Sequence, residues 1–105
     1  MPRGASLVAV LVLAAAAAGA EEPDPARQAE LLHMLRQDCG SCHGMRLSGG
    51  LGPPLSPQAL AGKDREALVA IVLDGVPGRP MPPWRPYLSE GEAFWLVDRL
   101  REGLR

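Results

Sequence analysis

Two cysteines and a histidine stand close together in the pentapeptide Cys39-Gly40-Ser41-Cys42-His43. Two thiols three positions apart, followed at once by an imidazole, are the arrangement that attaches a haem covalently and also ligates its iron. The thiols must reach two vinyl groups on one porphyrin edge while the histidine turns beneath it to the iron. We therefore expect Cys39 and Cys42 to carry the haem and His43 to be its proximal ligand.

The sixth ligand decides the chemistry, because an open position permits oxygen, nitric oxide or peroxide reactions whereas a closed one leaves electron transfer. Met81 lies 38 residues after His43, between prolines that stiffen the segment and lower the entropy lost when a thioether is held on iron. Met34 and Met45 are interpreted as packing residues. We therefore expect Met81 to be the distal ligand, which raises the reduction potential relative to two histidines.

The periodicity of apolar residues predicts the helices that would position these groups. An amphipathic pattern from about 26 to 37 predicts a helix that runs directly into the haem motif. Caps at Ser56, at Asp64 and in the box 89–92 predict a short helix and two longer ones. Segments rich in glycine and proline at 44–55 and 76–87 predict two long loops, the second extended and stiff. We expect an all-α fold with three main helices and a short fourth.

Two helical faces follow from the same periodicity. Leu68, Ile71 and Val72 should form the apolar face of the helix that Asp64 caps. The apolar face of the last helix should consist of Ala93, Leu96, Val97 and Leu100.

Residues 1–20 have the composition of a cleavable secretory signal. A positive start at Arg3, an apolar run and the small residues Ala18–Ala20 predict cleavage before Glu21 and export to the periplasm. An uncleaved membrane anchor is the alternative, although the apolar run falls short of the roughly 20 residues that span a bilayer. Cleavage would leave 21–105 as one small domain with a net charge of −2, since Arg3 is the only charge removed. This domain has no basic patch of the kind that binds nucleic acid. A hydrophobic core of this size alone gives little stability, so we expect a bound prosthetic group to complete it.

Other interpretations of the cysteine pair fit less well. A disulfide across two residues closes too small a loop to stabilise much, and a thioredoxin-like pair needs a βαβ context. Zinc could draw on both cysteines, His43 and His33, but adjacent Cys42 and His43 rarely share one tetrahedral ion. His33 is more simply a partly exposed helix residue. Covalent haem is favoured because the motif, the export signal, the small size and the helical pattern agree.

The haem motif, the Gly52-Pro53-x-Leu55 segment and the methionine in a proline-rich loop together resemble class I c-type cytochromes over residues 26–104. The resemblance implies a cytochrome c fold around one covalently bound haem c, with first and last helices in contact. It also implies that the carbonyl of Pro53 accepts a hydrogen bond from Nδ1 of the proximal histidine. Six side chains are expected to line the haem pocket: Leu32, Leu35, Leu55, Leu68, Trp84 and Leu96.

More narrowly, the segments 38–45, 49–53 and 78–84 resemble the small monohaem cytochromes encoded in the nitrite-reductase gene clusters of denitrifying bacteria. This resemblance implies a periplasmic electron carrier, not an enzyme, that takes electrons from an upstream donor and passes them to the dissimilatory nitrite reductase NirS. The alternatives are an accessory or electron-donating role in maturation of that reductase's special haem, or service to another periplasmic oxidoreductase. A gas- or peroxide-reactive haem protein is disfavoured, because the Pro80–Trp84 loop has no acid–base residue.

We expect a monomer without stable membrane insertion that meets its redox partner transiently. Arg46, Arg79 and Arg85 are predicted to rim the exposed porphyrin edge and to contact carboxylates of that partner. The alternative is that they are solvated loop arginines, or that one pairs with a haem propionate.

Overall fold

The computed structural model describes residues 4–11 and 22–104. Residues 4–11 are exposed and have no regular secondary structure. The rest of the predicted signal peptide, with its cleavage site, lies outside the described residues, so cleavage stays a prediction. In the described ranges, no helix combines the length and apolarity needed to cross a membrane.

The first helical segment leads straight into the cysteine motif, as its apolar periodicity predicts. Helix α1 spans Pro25–Met34 and is capped by Asp24, whose carboxylate accepts from the Arg27 amide at 2.9 Å. The helix continues without a break through a π-helical turn, Leu35–Cys39, and ends in a short helix α2, Gly40–His43. We call Leu35–Cys39 the π turn.

Three further helices follow: α3 at Pro57–Leu60, α4 at Arg65–Asp74 and α5 at Glu90–Glu102. The described residues contain no β-strand, only an isolated bridge between Val76 and Met81. The predicted all-α fold, with three main helical segments and a short fourth, is confirmed.

Each of these helices begins at the predicted cap. The Ser56 hydroxyl accepts from the Ala59 amide at 3.2 Å, and the Asp64 carboxylate from the Ala67 amide at 2.9 Å. At α5, Ser89 and Glu92 each accept from the other's amide, at 3.1 and 2.9 Å. These side chains satisfy amides that the first turn of a helix leaves without partners.

The core lies where α1 and α4 pack against α5. The predicted face of α5 is confirmed, and Trp95 is buried beside it. The predicted face of α4 is partly wrong. Its buried residues are Val69 and Leu73, whereas Ile71 is 42% exposed. Leu68 and Val72 lie at the border of the core, because the face that meets α5 is rotated from the one that the periodicity indicates.

An ion pair ties α1 to α5. Arg27 Nε donates to the Glu92 carboxylate, and the same guanidinium donates to Glu30 at 2.9 Å and to the carbonyl of Tyr87 at 3.2 Å. The arginine lowers the pKa of the Glu92 carboxyl. The expected contact between first and last helices is therefore present, and the ion pair restrains rotation of α1 about its axis.

The second long loop is not extended as its prolines suggest. The Val76 amide donates to the Met81 carbonyl at 3.1 Å, and the Leu88 amide donates to the Trp84 carbonyl at 3.0 Å. The loop therefore contains two turns. In the first, Gly75 at the end of α4 and Gly78 after Pro77 adopt positive φ angles of 71° and 75°.

Candidate haem site

The cysteine motif occupies the last turn and a half of the first helical segment. Cys39 ends the π turn, while Cys42 and His43 lie in α2, and all three side chains are half-buried. Both thiols are free. Burial raises the pKa of the Cys39 thiol to about 11, and the negative charge of Asp38 adds to this effect. Cys39 is therefore a protonated thiol at neutral pH.

The glycine-rich loop after the motif folds back over the end of α2. The carbonyls of Cys42 and His43 accept from the amides of Gly52 at 2.7 Å and Gly49 at 2.8 Å. These amides replace the intrahelical partners that the last carbonyls of a helix lack. The chain can turn back because Gly44 has a φ of 93°, and a Cβ there would lie 2.5 Å from the Gly49 carbonyl oxygen.

The same loop holds the imidazole of His43 from one side. The Nδ1 atom lies 2.7 Å from the carbonyl oxygen of Pro53. Since a carbonyl only accepts, Nδ1 carries the proton and Nε2 is left with its lone pair. This is the second contact that ligating histidines commonly make. Gly52 also lies against the ring. The role of His43 as an iron ligand stays a prediction, but its tautomer and orientation suit that role.

Met81 lies in a loop that main-chain hydrogen bonds hold against the end of α4. The amides of Trp84 and Arg85 donate to the carbonyls of Val72 and Leu73, each at 3.0 Å. The Met81 carbonyl accepts from Val76, and its side chain is partly buried. Main-chain hydrogen bonds therefore hold the segment that carries Met81, both at Met81 itself and at Trp84 and Arg85. The role of Met81 as an iron ligand also stays a prediction.

The apolar side chains predicted to line the pocket fall into two groups. Leu35 and Leu96 are already buried in the protein core, at 1% and 4% exposed. The other four are only partly buried and lie along the border of the core: Leu32, Leu55, Leu68 and Trp84. Trp84 also contacts Tyr87 in a tilted arrangement, with ring centroids 5.8 Å apart and ring planes at 60°. Half-exposed apolar groups of this kind are what a flat apolar cofactor would cover.

The residues present therefore fit a covalently attached haem. Two free thiols stand at the required spacing, and an imidazole presents its unprotonated nitrogen. Cys39 and Cys42 would hold the group, and His43 and Met81 would supply its axial ligands. None of the described His, Cys, Asp and Glu side chains cluster in a way that would suit a separate metal ion.

The three predicted docking arginines have different surroundings. Arg85 forms a bidentate pair with Asp74, at 2.8 and 2.9 Å, and this arginine lowers the pKa of the Asp74 carboxyl. Arg46 and Arg79 have no carboxylate within 4.0 Å among the described residues. Arg46 and Arg79 are thus better placed than Arg85 to offer an uncompensated charge, and docking itself stays a prediction.

Sequence reasoning missed the contributions made by the main chain. The amides of Gly49 and Gly52 carry no side-chain signal beyond the glycine content of the loop. It also missed Trp95 as a core residue, which is 7% exposed and has the Arg99 guanidinium 5.3 Å from its ring centroid. Its position next to Leu96 on the apolar side of α5 could have predicted its burial.

A helical fold around a cysteine-and-histidine turn of this geometry defines a c-type cytochrome. Residues 26–98 match the family model described as cytochrome c oxidase, cbb3-type, subunit III. The chain belongs to this family of c-type cytochromes, and its cofactor is covalently bound haem c.

Individual relatives are more similar. The chain is 68% identical over 83 residues to cytochrome c55X of Pseudomonas aeruginosa, which covers 79% of this chain and 70% of that protein. It is 56% identical over 96 residues to cytochrome c55X of Paracoccus denitrificans, covering 91% and 93%. These similarities extend over most of each protein.

Two solved structures have the same fold. The c-type cytochrome NirC superposes with a TM-score of 0.76 at 67% identity, covering 77% of this chain and 95% of that one. The dihydro-heme d1 dehydrogenase NirN in complex with DHE superposes with a TM-score of 0.63 at 30% identity, covering 70% of this chain but 16% of that one. The predicted resemblance to the monohaem cytochromes of nitrite-reductase clusters is confirmed.

Proposed function

We propose that the protein is a periplasmic carrier of single electrons that serves the dissimilatory nitrite reductase NirS as a monomer, after its signal peptide is removed. The similarity to NirC, at 67% identity over 95% of that chain, is the observation that carries this proposal. Haem c, when bound, takes up and releases one electron at its iron. The predicted export signal in residues 1–20 supports the compartment.

The chain's own contribution is to hold two iron ligands in place. The Pro53 carbonyl keeps the His43 ring in one tautomer and one orientation. Main-chain bonds to Val72, Leu73 and Val76 set the path of the loop that bears Met81. Ligands held in this way move little between oxidation states, which favours electron transfer over reactions that need an open iron.

Replacement of Met81 by alanine tests the ligand set. We expect Met81→Ala to abolish the methionine-to-iron charge-transfer band and to open the reduced protein to carbon monoxide. Met45→Ala is the matched control, because Met45 is 63% exposed and follows the motif by only two residues. Absorption spectra of both variants, with and without carbon monoxide, provide the measurement. A band that survives in Met81→Ala would contradict the assignment.

A second candidate function is favoured by the similarity to NirN. A 16% portion of that dehydrogenase has the fold of this chain at 30% identity. Removal of two hydrogens from a substrate releases two electrons and two protons; a one-electron carrier can take the electrons in two encounters, and the protons pass to solvent. The second candidate is therefore acceptance of electrons during maturation of the reductase's special haem.

Two reactions followed by the haem absorption distinguish these functions. In the first, reduced protein is mixed with NirS and nitrite, and in the second, oxidised protein is mixed with NirN and its substrate. We expect reoxidation by NirS and nitrite at least tenfold faster than by nitrite alone. If only the NirN reaction is accelerated, the maturation role replaces the proposed one.

A further inference from the structure

The buried positions along the first helical segment are not evenly spaced. Leu31 and Leu35 are 0% and 1% exposed, and the next buried residue is Gly40. The step from Leu31 to Leu35 is four residues, as expected on one face of an α-helix, but the step from Leu35 to Gly40 is five. The longer step coincides with the π turn, where the Gly40 amide donates to the carbonyls of both Gln37 and Leu35. The bond to Leu35, five residues back, is the pattern of a π-helix.

One residue more in a helical turn rotates everything after it by about 100° relative to a regular α-helix. In an unbroken α-helix, the residues after Leu35 on the buried face would be Asp38 and Cys39. The π turn instead places Gly40 on that face and leaves Cys39 at the border of the core, with Cys42 and His43 beyond it also half-buried. The orientation of the motif therefore depends on this extra residue.

Both ends of the segment are fixed, so neither can rotate to compensate. On the amino-terminal side, Leu31 and Leu35 lie in the core and Arg27 is paired with Glu92 on α5. On the carboxy-terminal side, the loop amides of Gly49 and Gly52 hold the end of α2.

The loop on the carboxy-terminal side is itself anchored. Leu47 is buried, and its carbonyl accepts from the Leu55 amide at 2.9 Å. A change in helical register between these two fixed units would therefore displace the motif or break one set of contacts.

We propose that the π turn is a register device that directs Cys39, Cys42 and His43 to the cofactor side of the core while α1 stays locked on α5. The inference rests on the proposed ligand set, for which it names positioning residues. Within the π turn, the two side chains between Leu35 and Asp38 are not required for this role. Arg36 and Gln37 are exposed and make no side-chain hydrogen bond with any described residue. The number of residues between Leu35 and Gly40 is what matters.

Deletion of Gln37 from the full chain, secreted from a host with haem-attachment machinery, tests the proposal. The thiols keep their spacing, so haem is expected to attach. The methionine-to-iron band should fall below a tenth of its wild-type strength, and the reduced protein should bind carbon monoxide. Gln37→Ala keeps the residue count and should retain the wild-type spectrum.

Two further variants separate register from general damage. Deletion of Ala26, an exposed α1 residue before Arg27, shortens the helix but keeps the spacing from Arg27 to Gly40, and it should retain the band. Insertion of one alanine after Leu35 into the Gln37 deletion restores the residue count and should restore the band. If the Gln37 deletion yields no folded protein while this restored variant does, the length requirement is supported.

Visible circular dichroism reports how the haem is packed whatever its sixth ligand is, so it reads the register independently of Met81. A wild-type protein without the methionine band would contradict the proposed ligand set alone. A Gln37 deletion with the wild-type dichroism and absorption, or equal losses in the Gln37 and Ala26 deletions, would overturn the register proposal.

Discussion

Gly52 marks the closest approach of the main chain to the imidazole of His43. A Cβ at this position would lie 2.7 Å from both Nδ1 and Cε1 of the ring. Gly52 does not have a positive φ, so the requirement for glycine is steric and comes from the ring alone. The residue therefore controls how closely the loop can hold the histidine.

We expect Gly52→Ala to push the loop away from the ring and to weaken the contact between Nδ1 and Pro53. Forcing a methyl group into so tight a space costs about 1–3 kcal/mol of the free energy of unfolding. The imidazole should also lose part of its basicity, which a shift in reduction potential would report. Denaturant unfolding and potentiometry of the holoprotein provide the two measurements.

Gly40→Ala is the matched control inside the same motif. Its nearest neighbours would be atoms of Met45 at 3.6 Å, an ordinary contact distance. We expect a change in stability of less than about 1 kcal/mol, since alanine also favours a helix over glycine. Equal effects of the two substitutions would contradict the steric role of Gly52.

At the scale of helices, Glu92 has two tasks at the start of α5. Its carboxylate accepts from the Ser89 amide in the capping box and from Arg27 on α1. The hydrogen bond from Arg27 is the main reason why its pKa lies below the ordinary value of 4.5. The unfolded chain therefore binds protons at a higher pH than the folded chain does. The stabilisation is complete above the unfolded pKa and is lost as the pH falls through the folded one.

We expect Glu92→Gln to lower the free energy of unfolding at pH 7 by about 1 kcal/mol, the usual size for a partly exposed ion pair or cap. The variant should also lose less stability than the wild type between about pH 5 and pH 3. Urea unfolding at several pH values measures both effects. Glu66→Gln is the control, because Glu66 forms no ion pair or hydrogen bond with described residues. A parallel pH dependence in Glu92→Gln and the wild type would contradict this account.

The helices could be predicted from the sequence to the extent that their signals are local. Ser56, Asp64 and the Ser89–Glu92 box each lie within three residues of the amide that they cap. The π turn has no such local signal. Its extra residue can be recognised only from the three-dimensional structure, which shows that Leu31, Leu35 and Gly40 are the buried positions. The face of α4 was misjudged for the same reason. The conformations of the two long loops could not be predicted either, because the hydrogen bonds that set them are made by main-chain groups and leave no pattern of side chains.

At the scale of the whole molecule, charge on the surface around the site is uneven. Arg85 is offset by Asp74 in an exposed pair, with both side chains more than half exposed. Arg79, in the same loop, has no such partner among the described residues. Pairs of this kind add little to stability, so their main consequence here is for the field that an approaching protein meets.

We therefore expect Arg79→Gln to slow electron transfer to the redox partner severalfold at low ionic strength and to flatten its dependence on salt. Arg85→Gln is the matched variant, because it removes the same unit of charge. Its effect should be smaller, since the Arg85 guanidinium is already bound by Asp74 and is less able to contact a carboxylate of the partner. Stopped-flow rates across ionic strength measure both. Unchanged rate and salt slope in Arg79→Gln would contradict docking through this arginine.

The contact between His43 and Pro53 is made by a main-chain carbonyl, which has a practical consequence for mutagenesis. Replacing the side chain of Pro53 itself leaves that oxygen in the chain, so a Pro53→Ala variant would not show that this residue is the histidine's partner. Variation among relatives would be equally uninformative about it, because every residue type supplies the same acceptor. Only changes that move the backbone, or that exchange the amide for an ester, would reveal how much the imidazole depends on it.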